Sequence, residues 1–399
     1  MGESMARGDG RGRYETATWS PDFARTGGRR RAAGTYRAFI PDPIADLEPR
    51  LESATSALSE RAGVAVRDLN MAPPGLRSFE GLARQLLRSE ALASSAIEGL
   101  RLSHRKLARA EIEGETGDSK AREVLANTRA MEEAVRIGSA VKSLTSTHIK
   151  AVHKELAIVP PLDKIAGKFR EEQGWIGGDS PPDAEYVGPA PRYVKGLVKD
   201  LCLFMNRDDL SPVAQAAIAH AQFELIHPFG DGNGRVGRCL IHVLFRRRRI
   251  APNYVPPVSL VLGANKDAYI ACIQNFRADK VDRWVAQFAR AVETAAHNAE
   301  DFSQAVAELQ TDWISRAEPM RADATARAII EHLPSFPFIA ASIVEELTGR
   351  SRVAAIDGLD HLAKAGVLTR HRNQRKGDSW EAKELFLLLD KFEATVKAP

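Results

Sequence analysis

The chain has 399 residues, 44% of them apolar, with 56 Lys and Arg against 52 Asp and Glu and a formal net charge of +4. That apolar share excludes a globally disordered chain, and the length predicts two to three domains. The small charge excess does not point to a strongly basic nucleic-acid protein, although it excludes no nucleic-acid partner. Cys202, Cys239 and Cys272 stand far apart with no CxxC or zinc spacing. They predict small buried hydrophobes and a reducing, cytoplasmic setting rather than a disulfide framework. No uncharged apolar run reaches about 18 residues, so no membrane-spanning helix is expected.

Residues 1–36 are rich in Gly and Arg and have no apolar segment of the secretory type. They predict a soluble, mostly disordered basic arm containing Arg29, Arg30 and Arg31. Apolar periodicity then predicts helices over residues 44–64, 78–97 (capped by Ser78), 119–137 and from 145 onward, with Ile149, Val152 and Leu156 on one face. Pro73-Pro74-Gly75 and Pro160-Pro161 break this pattern. Residues 167–191 differ from their surroundings. Short β-type pieces at Trp175-Ile176-Gly177 and Tyr186-Val187-Gly188 predict a hairpin turning near residues 179–183. Helices return over residues 192–206 and 212–226, the second with Ser211 as cap and Pro212 at its first position.

Residues 297–322 read as a polar helical connector. The last stretch, 323–399, predicts helices at 324–332, 340–347 and 352–365, with Thr348-Gly349-Arg350 as the turn between the last two. Strands follow at 367–371 and 384–389, with 373–378 as a wing. This is a winged helix-turn-helix pattern. It contains 11 Lys and Arg and 11 Asp and Glu, a balance that does not support DNA binding through this segment. The expected division is an arm (1–36), an N-terminal helical region (37–140), a core (141–296), the connector (297–322) and the winged-helix unit (323–399).

Chemistry concentrates in His227-Pro228-Phe229-Gly230-Asp231-Gly232-Asn233-Gly234-Arg235-Val236-Gly237-Arg238. Glycines at alternate positions let the backbone present several N–H groups to one side, and the helix that follows points its positive end at the same place. Arg235 and Arg238 share a helix face. This combination suits a polyphosphate. Asp231 opposes an anion unless it holds Mg²⁺ between phosphates. His227 at the edge suits a general base for a hydroxyl. Phe229 reads as a core anchor for the loop. His220 and His242 read as structural histidines, and the run Arg246–Arg249 as a solvated helix end or as cations facing the helix C-terminal dipole.

The segment matches the signature H-x-F-x-[DE]-G-N-G-R-x-x-R at every specified position, and the chain over about residues 37–295 resembles the Fic family. The resemblance implies a mostly α fold: a Fic helical bundle with a β-hairpin flap, accompanied here by the C-terminal winged helix. It implies protein AMPylation, with ATP as donor, Mg²⁺ as cofactor and a Ser, Thr or Tyr hydroxyl of a target protein (itself included) as acceptor. By motif match, His227 would be the base and Asp231 the metal ligand. Gly230, Gly232, Asn233 and Gly234 would cradle the phosphates, with the Asn233 side chain on the α-phosphate side. Arg235 and Arg238 would take the β- and γ-phosphates. Gly230 and Gly237 occupy variable positions and would loosen the loop.

Tyr269 could line the adenine pocket or be a plain core residue. Gly167-Lys168-Phe169-Arg170, with Trp175-Ile176-Gly177 and Tyr186-Val187-Gly188-Pro189, resembles the flap that aligns target peptides. Ser94-Ser95-Ala96-Ile97-Glu98-Gly99, preceded by Arg88-Ser89-Glu90-Ala91, resembles the inhibitory motif [ST]-x-x-x-E-[GN] of class II members, in which Ser94, Glu98 and Gly99 are the matching positions. Glu98 would then pair with Arg238 and block the γ-phosphate site. The alternatives are removal of AMP from modified protein, or a DNA-binding regulator with a vestigial site. A homodimer is left open, and no membrane partner is expected.

Overall fold

The computed structural model describes residues 6–7, 10–20, 33–71, 79–113, 118–321, 324–373 and 377–395. The predicted cap at Ser78, the Pro73-Pro74-Gly75 break, the Arg29–Arg31 run and the tip of the wing fall outside these residues. The described part is mostly α-helical with three small antiparallel sheets. It divides into two units, each visited more than once by the chain. Among the described residues, no helix is long and apolar enough to cross a membrane.

The first unit comprises residues 1–63, 129–249 and 266–290. Its N-terminal part corrects the expectation of a disordered arm. Strands Ala6–Arg7, Gly12–Trp19 and Gly34–Pro41 form an antiparallel sheet in that order, with Tyr14 opposite Phe39 and Thr16 opposite Arg37. The Gly and Arg content obscured a run of β-favouring residues, Tyr14, Thr16, Thr18 and Trp19, whose strand is completed only by pairing with Gly34–Pro41. Phe39 and Ile40 are buried. The helix expected over 44–64 lies instead at Ser53–Asn70. Ile44 is a fully buried anchor whose N–H donates to Asp200 Oδ2 at 2.6 Å.

Helix Pro212–Ile226 has every residue from Val213 to Ile226 buried. A helix buried all round belongs at the centre of its unit, and its neighbour Asn233–Arg247 buries residues 235–245. Close packing extends to helix Ser119–Ala140. A Cβ on Gly138 would stand 2.5 Å from the Val243 carbonyl oxygen. The Arg246–Arg249 run is not a free cationic end. Arg247 donates to the Asn206 carbonyl and to Asp208, and Arg248 to Gln215 Oε1 and the Asp208 carbonyl.

The second unit comprises residues 64–128, 250–265 and 291–399. Leu82 and Leu86 of helix Phe79–Ile97 share one apolar cluster with Phe302, Trp313, Phe338 and Trp380. The C-terminal segment is therefore packed with residues 64–128 instead of standing apart. The expected connector is part of a continuous helix, Val281–Ala317, and its buried Phe302, Val306 and Trp313 make it a core element.

Beyond it come helix Thr325–His332, strand Phe338–Ala340, helices Ala341–Thr348 and Arg352–Lys364, and strands Thr369–His371 and Ser379–Glu381. The last strand lies centrally in the sheet. Gly349 makes the tight turn at φ +65°, and Ser351 Oγ accepts from the Ala354 N–H. The strand expected at 384–389 is a helix, Lys383–Thr395. Leu385, Phe386, Leu389 and Phe392 form its buried stripe, so the apolar run belongs to a helical period.

Candidate active site

His227 ends helix Pro212–Ile226 in the left-handed conformation, φ 49°. Its N–H bonds the Phe223 carbonyl at 2.9 Å, and Nδ1 lies 3.3 Å from the Glu224 carbonyl oxygen. With Nδ1–H donating there, Nε2 carries the lone pair. The chain then loops to Gly232 (φ 77°), which caps the start of helix Asn233–Arg247. A Cβ at Gly232 would meet Leu156 Cδ2 at 2.7 Å, so both the conformation and the space require glycine.

The Asn233 side chain closes this loop on itself. Its Oδ1 accepts from the Phe229 N–H at 2.8 Å, and its Nδ2 donates to the Phe229 carbonyl at 2.9 Å. These bonds direct the amide at the loop backbone rather than at an open phosphate position.

Phe229, 1% exposed, is the anchor the sequence suggested. Its ring stacks on the His153 imidazole at 3.8 Å between centroids and 4° between planes. His153 is buried, accepts at Nδ1 from the Gly167 N–H (3.0 Å) and faces the Asp231 carbonyl with Nε2 (3.1 Å). The Gly167 bond fixes the tautomer: Nε2 bears the proton and donates to Asp231. Burial, only partly opposed by the Asp231 hydrogen bond, pulls the imidazole pKa down to about 4.

Arg235 sits in the first turn of helix Asn233–Arg247, only 5% of its side chain exposed. Its Nη2 is 3.7 Å from Asp231 Oδ1, while its Nε and Nη1 are buried with no hydrogen-bond partner among the described residues. Arg238, one turn on, is 1% exposed. The Asp231 side chain is 58% exposed, and its Oδ1 accepts from the Gly232 N–H. Orphaned guanidinium donors at a helix N-terminus, behind the left-handed turn at Gly232, suit an anion. The exposed carboxylate at its edge supplies a hard oxygen ligand.

Gly237 does not loosen this region. A Cβ there would stand 2.4 Å from Glu224 Oε1 and 3.0 Å from the Phe223 ring, so the glycine lets the two central helices approach. Tyr269 is a buried core residue whose hydroxyl lies 2.7 Å from His220 Nε2. Burial, with the nearby Arg238 charge second, lowers His220 to about 3.

The flap pairs Trp175 with Val187 and Ile176 with Tyr186. Ile176 is 41% exposed, and Gly177 has φ 71°. Tyr186 and Val187 are buried, and the Tyr186 hydroxyl donates to the Leu225 carbonyl. Burial holds that phenol well above its ordinary range.

Arg170 ties the flap to the His227 loop. Its Nε donates to the His227 carbonyl at 2.8 Å, Nη1 to Glu172 and Nη2 to Pro189, while its N–H donates to the Pro228 carbonyl. Sequence reasoning assigned His153 no role in this site, and placed Arg170 in the flap segment without its bonds to the His227 loop. A histidine inside the apolar face Ile149, Val152 and Leu156 was the available signal for the first.

Ser94, Glu98 and Gly99 belong to the second unit. Ser94 is buried within helix Phe79–Ile97, whereas Glu98 and Gly99 are exposed just past its end, with Gly99 at φ 85°. Glu90 fixes this helix from within the same unit. Its Oε2 accepts from the Ser259 N–H at 2.8 Å, and its Oε1 from the Ser259 hydroxyl.

Residues 143–245 match the Fic/DOC family model, and residues 56–136 match the model of the Fic/DOC family N-terminal region. Protein adenylyltransferase Fic of Drosophila melanogaster is 35% identical over 124 residues, covering 28% of this chain and 22% of the relative. Protein adenylyltransferase fic-1 of Caenorhabditis elegans is 28% identical over 142 residues, covering 32% and 27%. The chain thus spans between 22% and 27% of the length of these curated relatives.

Two solved structures share the fold. A Fic family protein from Desulfovibrio desulfuricans G20 aligns with TM-score 0.51 and 21% identity over 84% of this chain and 98% of that chain. A Fic domain containing signaling protein from Bacteroides thetaiotaomicron VPI-5482 aligns with TM-score 0.51 and 17% identity over 62% and 97%. With the signature intact at the head of a buried helix, residues 143–245 are a Fic/DOC family domain, preceded over residues 56–136 by the family's N-terminal region.

Proposed function

We propose that this protein transfers AMP from ATP to a Ser, Thr or Tyr hydroxyl of a target protein, itself included. The observation that carries this reading is Arg235, whose buried Nε and Nη1 lack partners among the described residues at the head of helix Asn233–Arg247. A buried guanidinium is costly unless a ligand completes it. A triphosphate supplies such a ligand.

The reaction follows from the charges. The acceptor oxygen bonds to the α-phosphorus as its proton passes to His227 Nε2. The bond from that phosphorus to the oxygen bridging to the β-phosphate breaks, and pyrophosphate leaves with the electron pair. The backbone N–H groups around Gly232–Gly234 and the Arg235 and Arg238 guanidiniums receive the charge that builds on the phosphates. Asn233 holds the loop in shape through its two bonds to Phe229. His153 holds the Asp231 backbone from behind.

Asp231 would hold Mg²⁺. Its exposed carboxylate fits an ion carried in with phosphates. Among the described residues there is no cluster of three or more metal-binding side chains, and Mg²⁺ on a nucleotide needs only one or two carboxylates. When bound, the ion supplies positive charge to the phosphates.

Glu98 acts in this reading as a brake. Its carboxylate competes with the γ-phosphate for Arg238, so ATP binds unproductively until the brake is released. The reading rests on the motif match at Ser94, Glu98 and Gly99.

The C-terminal order of helix, strand, two helices and two strands reads as a winged helix serving protein contact. Arg370, on the wing strand, is paired with Asp360 and Asp378, which weighs against phosphate contacts.

The test is incubation of Glu98→Gly protein with ATP labelled in the α-phosphate. Labelled protein that disappears in Glu98→Gly/His227→Ala supports the reading, and equal labelling with and without His227 defeats it.

A further inference from the structure

The N-terminal sheet and the flap line an open cavity of about 470 Å³ that the AMP-transfer chemistry does not use. Strand Gly34–Pro41 forms one wall and the flap the other. A Cβ on Gly34 would stand 3.1 Å from the Pro182 ring, and the Tyr36 hydroxyl donates to Gln173 Oε1 at 3.4 Å. Tyr14, Tyr36 and Tyr186 supply aromatic surface, and Arg37, Arg277 and Glu185 supply charge.

Both guanidiniums rest on rings. Arg37 lies 4.1 Å from the Tyr14 centroid, and Arg277 lies 5.7 Å from that of Tyr186 and 5.9 Å from that of Phe39. Neither has a carboxylate partner among the described residues. A guanidinium stacked on an aromatic face is oriented at little further entropy cost, and its N–H edge remains available to a planar anion. Two arginines against the single carboxylate of Glu185 leave the wall with a net charge of one positive unit. A monoanion balances that charge; a phosphate dianion overshoots it.

We infer that this cavity is a specificity pocket for an Asp or Glu side chain of the target protein, held between Arg37 and Arg277. Tyr186 and Val187 are at once the flap strand and part of the cavity wall. A target segment lying on the flap therefore has the cavity beside it. The occupant's identity as a target side chain rests on the protein-AMP-transfer reading. The pocket would make modification selective for hydroxyls with an acidic residue at a fixed distance.

The test uses full-length Glu98→Gly protein and a set of fluorescent 13-residue peptides. Each has a central Ser, and a single Glu is moved through every position of a Gly/Ala background, with a Gln counterpart for each. Anisotropy is measured without ATP, so it does not depend on transfer. One Glu register should bind about tenfold more tightly than its Gln counterpart, as expected for a charge-assisted pair. Arg277→Gln should reduce that ratio below about twofold. Arg37→Gln, at an exposed position, should do the same without any effect on folding.

No preferred register, or a preference retained in both variants, overturns the assignment. Displacement of the peptide by free glutarate at equal concentration also overturns it, because the pocket would then serve a small carboxylate. If AMP transfer occurs with no acidic preference, this pocket alone is refuted. If the preference holds and no AMP is transferred, the transfer reading alone is refuted.

Discussion

The imidazole of His153 lies flat on the ring of Phe229, centroids 3.8 Å apart, while its two nitrogens span from the Gly167 N–H to the Asp231 carbonyl. One side chain thus ties the Phe229–Asp231 stretch of the loop to the Gly167 backbone. It does so only as the neutral tautomer, because a proton on Nδ1 would displace the Gly167 bond.

That dependence sets an acid limit. His153 is held at about 4 and His220 at about 3, both below the ordinary value of 6.5 and both chiefly by burial. Below pH 6.5 the unfolded chain binds protons that the folded chain refuses. Stability is therefore complete above 6.5 and falls as pH drops toward 4, by up to about 1.4 kcal/mol per pH unit for each histidine. Urea unfolding at pH 7.5, 5.5 and 4.5 should show this decline. His153→Phe, which keeps a ring against Phe229, should make the slope shallower.

On the AMP-transfer reading, Arg235 trades stability for ligand binding. Its unpartnered buried nitrogens cost the free protein roughly 1–3 kcal/mol. Arg235→Met should leave the melting temperature of the ligand-free protein unchanged or higher, and should abolish the rise in melting temperature produced by ATP. Thermal melts with and without ATP give both readings. A large loss of stability in the ligand-free variant would mean that the guanidinium is structural.

Gly237 is a packing requirement. Alanine there would press on Glu224, the Phe223 ring and His220, whose Cε1 would be 3.2 Å away. The clash of about 1–3 kcal/mol outweighs the gain of up to about 1 kcal/mol from better helix propensity. Gly237→Ala should therefore lower the melting temperature, whereas alanine at Gly230, where only Ile165 is near at 3.5 Å, should be tolerated.

Arg170 joins the flap to the His227 loop through three carbonyls. Burial lowers its pKa to about 10, which leaves it charged at neutral pH. Arg170→Met should speed hydrogen exchange over residues 172–189 and raise the KM for a protein acceptor more than the KM for ATP. Equal changes in the two constants would contradict a positioning role.

The site was legible where its chemistry is contiguous. From His227 to Arg238, residue type and spacing dictate a turned loop feeding a helix start, and that is what forms. His153, and the bond from Arg170 of the flap segment to His227, were not legible because these side chains reach the loop from 78 and 57 residues away through backbone bonds that any suitable side chain could make.

Asn233 shows a different limit. Its place in the motif was plain, but the two bonds to the Phe229 backbone that engage its amide depend on the path of the loop. The N-terminal sheet escaped because strand Gly12–Trp19 needs Gly34–Pro41 to satisfy its backbone. The last helix was read as a strand because the run Leu385–Leu389 is too short to show its period until Phe392 is included.

AMP transfer through His227 under restraint by Glu98, as proposed, can be read by mass spectrometry of a cell lysate incubated with ATP and the Glu98→Gly protein. A mass gain of one AMP is expected on a Ser, Thr or Tyr of a lysate protein or of the enzyme itself. That gain should be strongly reduced with the wild-type chain and absent with Glu98→Gly/His227→Ala. No AMP adduct with Glu98→Gly, or an adduct that survives the loss of His227, would contradict it.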